Sequence, residues 1–266
     1  MSPPWKPTPT IRLSIGVHLL AGLSLFVVPA VWPWAVGAVL LNQGLITLGC
    51  LLPRSALLGA NLTRLPAAAV RRREIALTID DGPDPQVTPA VLDLLDAAGV
   101  KASFFCIGRL ARQYPELCRE IVARGHRVEN HGESHSKAFA TFSYRRMRAD
   151  VAAGQATLTG ITGQTPQFFR PTAGLRNPFL APALAALGLQ QATWTRRAYD
   201  TRIGNAARVL QRLTQHLAPG DILLLHDGNA ARTPAGVPVI LAVLPHLLQT
   251  LADHRLNPVT LTAALT

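Results

Sequence analysis

The sequence predicts an α/β protein, a parallel barrel or open sheet preceded by an apolar N-terminal hairpin. Three observations lead there. Short apolar strands alternate with helical segments from residue 74 onward. No Asp, Glu, Lys or Arg occurs between Leu13 and Pro53. The polar residues that stand out fall just after strand ends, which a parallel barrel gathers at a single mouth.

Residues 1–10 carry four prolines and read as a poorly ordered tail. The charge-free run that follows would extend ~60 Å as one helix, about twice the hydrocarbon thickness of a bilayer. It is interrupted at Pro29-Ala30-Val31-Trp32-Pro33-Trp34, where prolines end helices and tryptophans favour the headgroup zone. Two membrane helices, about 12–28 and 34–52, joined by an interfacial turn, account for both facts. A buried soluble hairpin would not need so long an apolar run. A cleaved signal peptide would lose its hydrophobicity at a small-residue site, and this run continues past any such point. Lys6 and Arg12 precede the hairpin, and Arg54, Arg64 and Arg71-Arg72-Arg73 follow it. Positive flanks stay inside, so the hairpin is expected in the inner membrane with the rest of the chain cytoplasmic. If only one helix spans, the remainder faces the periplasm. Residues 54–73 read as a basic linker lying on anionic headgroups. Asn61-Leu62-Thr63 is a sequon that a cytoplasmic chain leaves unused.

The main domain is expected over 74–266. Ile75, Leu77 and Ile79 alternate with Ala76 and Thr78, which makes a strand. It stops at Asp80-Asp81-Gly82-Pro83, because Gly and Pro break it. Side chains alternate across a strand, so the neighbouring aspartates are expected on different sides, one to hold a metal and one to accept a proton. Thr88-Pro89 starts a helix that Gly99 closes. Further strands are expected at Ala102–Ile107, His126–Asn130, Gln167–Phe169, Gln191–Thr195, Asp221–Leu225 and Pro258–Leu261, seven in all. Helices near 109–124, 144–158, 178–187, 205–217 and 237–253 separate them. The run at 221–225 is almost wholly apolar and is expected buried on both faces.

Lys and Arg number 26 against 15 Asp and Glu, a net charge of +11. Such a balance suits anionic lipid or a phosphorylated substrate. There is no zinc-finger spacing, RNA-binding aromatic motif or lysine-rich tail, so nucleic acid is not an expected partner. Cys50, Cys106 and Cys118 lack C-x-x-C spacing and read as small buried apolar groups.

Asp80 and Asp81 end the first strand, and His131 and His135 follow the third in N-H-G-E-S-H. Arg170 ends the fourth in F-F-R-P-T-A-G, Asp200 lies after the fifth, and His226 closes the sixth in I-L-L-L-H-D-G. A helical turn or tight loop sets His131 and His135, four apart, on one side. With Asp81 they make a two-His, one-carboxylate set that leaves positions open for water and substrate. Alone, each of these is an ordinary turn, surface pair or salt bridge. Their common position after strand ends argues for a metal centre. A glycosidase needs two acids across a sugar ring and has no use for the histidines.

These residues carry a family resemblance. T-I-D-D-G resembles the first motif of the NodB-type polysaccharide deacetylases (carbohydrate esterase family 4), and H-G-E-S-H resembles the second. R-P-T-A-G resembles the third, Asp200 part of the fourth and L-L-H the fifth, in family order over about residues 74–262. The resemblance implies a deformed (β/α)7 barrel and a hydrolase acting on carbon–nitrogen bonds of N-acylated amino sugars, polymeric or lipid-linked. It implies that Asp81, His131 and His135 hold a divalent metal, most often Zn2+ with Co, Mn or Ni tolerated, which activates water and polarises the amide. It further implies Asp80 as base, Arg170 as its holder, His226 as acid and Asp200 as the group that tunes it. The N–H of Ala173 would serve the oxyanion, with Trp194 on the substrate side. Gly132 replaces a usual Ser or Thr, which is expected to loosen that loop. Ala173 replaces an aromatic wall, and Arg197 and Thr201 replace an Asp and a Trp of the fourth motif. Together with Arg196 and Arg202, these departures favour a phosphorylated or lipid-linked amino sugar over a long polymer. The alternatives are a periplasmic peptidoglycan or exopolysaccharide deacetylase and a non-catalytic sugar-binding barrel.

Overall fold

The computed structural model describes residues 5–266. Thr8 caps the first helix, accepting a hydrogen bond from Ile11 N at 3.3 Å. Its hydroxyl also donates to Leu57 O at 2.7 Å, which ties the chain start to the segment after the hairpin. Helix α1 therefore starts at Pro9 and runs to Val27, earlier than the expected residue 12, and part of the expected tail is helical. Residues 1–4 of that tail lie outside the described residues. A 3-10 turn at Pro29–Val31 leads into α2, Trp32–Leu51, two residues ahead of the expected start. Both helices are long and apolar enough to cross a membrane. Asn42 Nδ2 donates to Ser14 Oγ at 2.9 Å, a polar tie of the kind that joins helices in an apolar medium.

Residues 54–73, expected as a linker on headgroups, instead pack against the barrel. Leu58 and Leu65 are buried, Ala67–Arg71 forms helix α3, and Leu62 bridges to Ala192. Arg64 pairs with Asp221 at 2.9 Å and Arg72 with Glu74 at 2.7 Å. Arg73 donates to the carbonyls of Arg255 and His254. Protein groups engage these three guanidiniums where headgroups were expected to.

Among the described residues the sheet has eight parallel strands, one more than expected. They are β1 Glu74–Asp80, β2 Ser103–Cys106, β3 Arg127–Asn130, β4 Phe168–Phe169, β5 Gln190–Gln191, β6 Arg196–Arg197, β7 Ile222–His226 and β8 Asn257–Val259. The order is β5-β4-β3-β2-β1-β7-β6, with β8 on β1. β5 and β6 are two pieces of one stretch, the first paired to β4 and the second to β7. Residues 190–197 thus join the two edges of the curled sheet. The single expected strand Gln191–Thr195 is split because Arg170 donates to the carbonyls of Ala192 (3.1 Å) and Thr193 (2.7 Å), taking acceptors that a ladder would use.

Along β1 the alternation works as anticipated. Ile75, Leu77 and Ile79 join the main apolar cluster beneath the outer helices, and Ala76 belongs to an inner one with Phe105, Phe168 and Ile222. Thr78 and Asp80 continue that inner row toward the mouth. The helix expected over 109–124 divides into Gly108–Gln113 and Pro115–Ala123. Tyr114 precedes a proline and takes φ −132°, ψ 59°, outside the helical region.

The hairpin meets the barrel at the mouth. Arg176 N donates to Cys50 O at 3.4 Å, and its guanidinium reaches the carbonyl of Ser55. The close approach of Pro53 to Gly174, at φ +77°, leaves no room there for a Cβ. The end of α2 therefore lies against the loop that follows β4.

Candidate active site

The chain leaves β1 at Asp80 and turns at Asp81, whose φ is +75°. A left-handed residue reverses the direction its side chain would take in a strand. The two aspartates were expected on different sides; both instead reach the same cavity, of about 400 Å3. Gly228 makes the turn possible, because a Cβ there would collide with the backbone of Asp81.

His131 Nδ1 donates to Arg170 O at 2.7 Å, which fixes the tautomer and leaves Nε2 with its lone pair toward the cavity. Asp81 Oδ1 lies 3.1 Å from His131 Nε2 and 3.1 Å from His135 Nε2. Asp81 Oδ2 accepts from Asn229 Nδ2 at 3.2 Å. The loop from Gly132 to His135 is not helical; both ends take positive φ. Gly132 does not loosen it. Gly132 N donates to Asn130 Oδ1 at 2.8 Å, and a Cβ there would press on Asp150. Asp150 in turn accepts from Glu133 N and Ser134 N.

Two imidazole nitrogens and a carboxylate oxygen thus lie within 4.8 Å of one another. Three such donors, one oriented from behind by a carbonyl and another by an amide, fit a catalytic divalent-metal site with a side open to substrate. Burial pushes the Asp81 carboxyl up, but the His131 and His135 imidazoles beside it outweigh burial and hold it well below the usual carboxylate range. The donor is therefore ionised.

Asp80 is 2% exposed and accepts from Arg170 Nη1 at 2.5 Å through Oδ1. Its Oδ2 faces His131 Nε2 at 3.9 Å. Arg170 is fully buried inside the barrel. It also donates to Thr78 Oγ1 at 3.0 Å and stacks 4.0 Å from the centre of the Phe105 ring. It does not line the cavity, so it is a positioning residue beneath Asp80. Asp200 is likewise buried behind His226, accepting from His226 Nδ1 at 2.8 Å and from His226 N at 2.8 Å. Burial lowers the pKa of His226, yet the neighbouring Asp200 carries it up to about 9.

Ala173, at φ +56°, and Trp194 line the cavity. Arg197 and Arg202 line it too, with Lys137. Arg196, expected at the mouth, points away. It pairs with Asp221 at 2.5 Å and donates to the carbonyls of Gln215 and His216, toward the other end of β7. Asn229, Gly228 and Asp150 carry no signal that singled them out in the sequence, although Asp227-Gly228-Asn229 stands directly after His226.

A polysaccharide deacetylase family model matches residues 67–192. A peptidoglycan-N-acetylglucosamine deacetylase of Bacillus cereus is 31% identical over 175 residues, 65% of this chain and 81% of that protein. The chain belongs to the polysaccharide deacetylase family. It is accordingly a hydrolase of carbon–nitrogen bonds other than peptide bonds, in a family that is metal-dependent. A chitooligosaccharide deacetylase of a Bradyrhizobium species is 33% identical over 172 residues, 62% of this chain and 78% of that protein. The fold superimposes on a wild-type CE4-family pseudoenzyme of Bacillus anthracis with a TM-score of 0.69 at 22% identity, covering 78% of this chain and 69% of that one. That likeness shows the fold alone. A family that shelters a pseudoenzyme must be read for activity at its side chains.

Proposed function

We propose that this chain is a membrane-anchored N-deacylase that removes an acetyl or formyl group from an amino sugar presented at the membrane surface. The observation that carries the reading is the gathering of Asp80, Asp81, His131, His135 and His226 on one cavity. Asp81, His131 and His135 hold a divalent cation; Zn2+ suits the donor set, with Co, Mn or Ni able to take its place. When bound, the cation supplies Lewis-acid polarisation of the amide and a more acidic water.

The chain's own residues handle the protons. Asp80, with Oδ1 committed to Arg170, turns Oδ2 to the cavity and takes a proton from the water that attacks the acyl carbon. The N–H of Ala173 receives the oxyanion. His226 is protonated near neutral pH and, with Nδ1 held by Asp200, offers Nε2 to the nitrogen as the carbon–nitrogen bond breaks. The products are a carboxylate and the free amino sugar. Trp194 forms a wall for the sugar.

Anchoring is supported by the two apolar helices and by their attachment beside the mouth. The positive flanks Lys6, Arg12 and Arg54 favour a cytoplasmic catalytic domain. The similarity to peptidoglycan and chitooligosaccharide deacetylases favours a second reading, a periplasmic enzyme acting on N-acetylated polymer. A reporter fused after residue 266 separates the two. The test of the chemistry is release of acetate or formate from N-acylated amino sugars by the full chain in lipid nanodiscs. Asp80→Asn is expected to lower kcat by about 10²–10⁴-fold while bound metal is retained. Unchanged hydrolysis ends the reading, and a protein that never takes up metal favours a non-catalytic barrel.

A further inference from the structure

A second cavity, of about 500 Å3, lies beside the catalytic one. The residues after α2, Leu52 to Ser55, form one wall, and Tyr199 and Arg212 form the other. Trp194 and Arg197 line both cavities, so they are the partition between them. We infer that this cavity is a subsite for a phosphate ester carried by the substrate, set between the membrane hairpin and the catalytic mouth. The inference rests on the N-deacylase reading above and narrows its substrate to an amino sugar joined through phosphate to a membrane lipid.

Three guanidiniums face the space, those of Arg54, Arg197 and Arg212. The arginine ion pairs among the described residues engage Arg64, Arg72, Arg112, Arg124, Arg127, Arg170 and Arg196, none of these three. Arg197 lies 5.0 Å from the centre of the Trp194 ring and 4.9 Å from that of Tyr199, while Arg212 lies 4.7 Å from Tyr199. The rings hold the planar groups in place without neutralising them. Arg197 Nε is buried and has no hydrogen-bond partner among the described residues. A buried donor left unmade is costly, and like charges brought together repel. An anion with several oxygens relieves both, and guanidinium forks match phosphate oxygens.

Position supplies the lipid half of the inference. The chain of α2 ends in the wall of this cavity, so a phosphate seated there lies level with the end of a helix long enough to cross a bilayer. Its acyl chain can stay among lipids while its sugar reaches past Trp194 to Asp80 and His226.

The test compares three N-acetylglucosamine substrates on the full chain in nanodiscs: a prenyl phosphate glycoside, the soluble 1-phosphate and a neutral chitooligosaccharide. A separate arm measures binding of inorganic diphosphate by calorimetry. The expected result is a kcat/KM for the prenyl phosphate at least tenfold above both others. Arg212→Gln and Arg197→Gln should each cut that preference by about tenfold, the worth of a charge-assisted hydrogen bond, and weaken diphosphate binding in parallel. Equal kcat/KM for the prenyl phosphate and the oligosaccharide, with no diphosphate binding, overturns the subsite. A soluble 1-phosphate as good as the prenyl one overturns the lipid carrier. Diphosphate binding that both variants lose supports the subsite even if all three substrates prove inert, a result that would instead sink the deacylase reading.

Discussion

Arg170→Leu is the perturbation that tests most of the site's architecture at once. The guanidinium makes four hydrogen bonds: to Asp80 Oδ1 at 2.5 Å, Thr78 Oγ1 at 3.0 Å, Ala192 O at 3.1 Å and Thr193 O at 2.7 Å. Leucine removes them all and leaves Asp80, 2% exposed, as a buried acid without its cation. Removing one partner of a buried pair costs about 3–5 kcal/mol. The two stranded carbonyls push the cost to the upper end of that range. At ~2–4 °C per kcal/mol for a domain of this size, Tm should fall by roughly 10–20 °C. The assay is thermal unfolding of the full chain in nanodiscs, followed by tryptophan fluorescence. Arg170→Lys keeps the charge but cannot span Asp80 and both carbonyls, so it should fall between leucine and wild type. The double variant with Asp80→Asn should be less destabilised than the two single losses added, since neither then leaves an isolated charge. A leucine variant melting within ~2 °C of wild type, or a strictly additive double variant, would refute the claim that Arg170 holds both Asp80 and the split strand.

Chelation should abolish amide hydrolysis, and Zn2+ should restore it in wild type but not in Asp81→Ala or His131→Ala, with elemental analysis showing no stoichiometric metal in either variant. Asn229→Ala releases the second oxygen of Asp81 and should weaken metal affinity ~10–100-fold in a competition titration. Gly228→Ala pushes a methyl into the Asp81 backbone and should do at least as much, although no ligand is changed. Asp200→Asn removes the carboxylate that raises His226 to about 9, so the alkaline limb of kcat/KM should move to lower pH, toward the usual histidine range near ~6.5. Because the folded pKa is the higher one, the stabilisation lost in that variant should be largest in acid, below about 6.5, and vanish as pH rises through about 9. An unmoved limb would deny Asp200 its part.

Much of the site was legible because chemistry and topology coincide. Asp80, His131, Arg170 and His226 end or follow strands, and a parallel sheet brings such ends together whatever their spacing in the chain. What escaped depends on pairings with no local signal. Arg64 and Arg196 both engage Asp221, so two arginines expected near lipid or at the mouth bind one acid at the far end of β7. The positive φ of Asp81 overrode the alternation that would have separated the two aspartates. That geometry is permitted by Gly228, a residue distant in sequence. The division of 190–197 into β5 and β6 required knowing where the Arg170 side chain ends. The break at Tyr114 is different in kind. The proline at 115 announces it in the sequence, and the apolar pattern of the surrounding helix masked it.

Inward from the mouth, the site forms layers. The cavity holds the groups that would touch substrate, and beneath them a buried set fixes each in one orientation. Arg170 serves twice, giving its guanidinium to Asp80 and its carbonyl to His131, so base and metal ligand share one support. Asp200 likewise holds His226 by both side chain and backbone N–H. A pseudoenzyme can keep this fold, so the fold does not select for that second layer. Burying Arg170 and Asp200 without solvent is costly unless every donor and acceptor is matched. Here each nitrogen of the Arg170 guanidinium and each oxygen of Asp200 has a partner, Asp80 and His226 among them, so the buried pairs bear on activity as much as the motifs in view do.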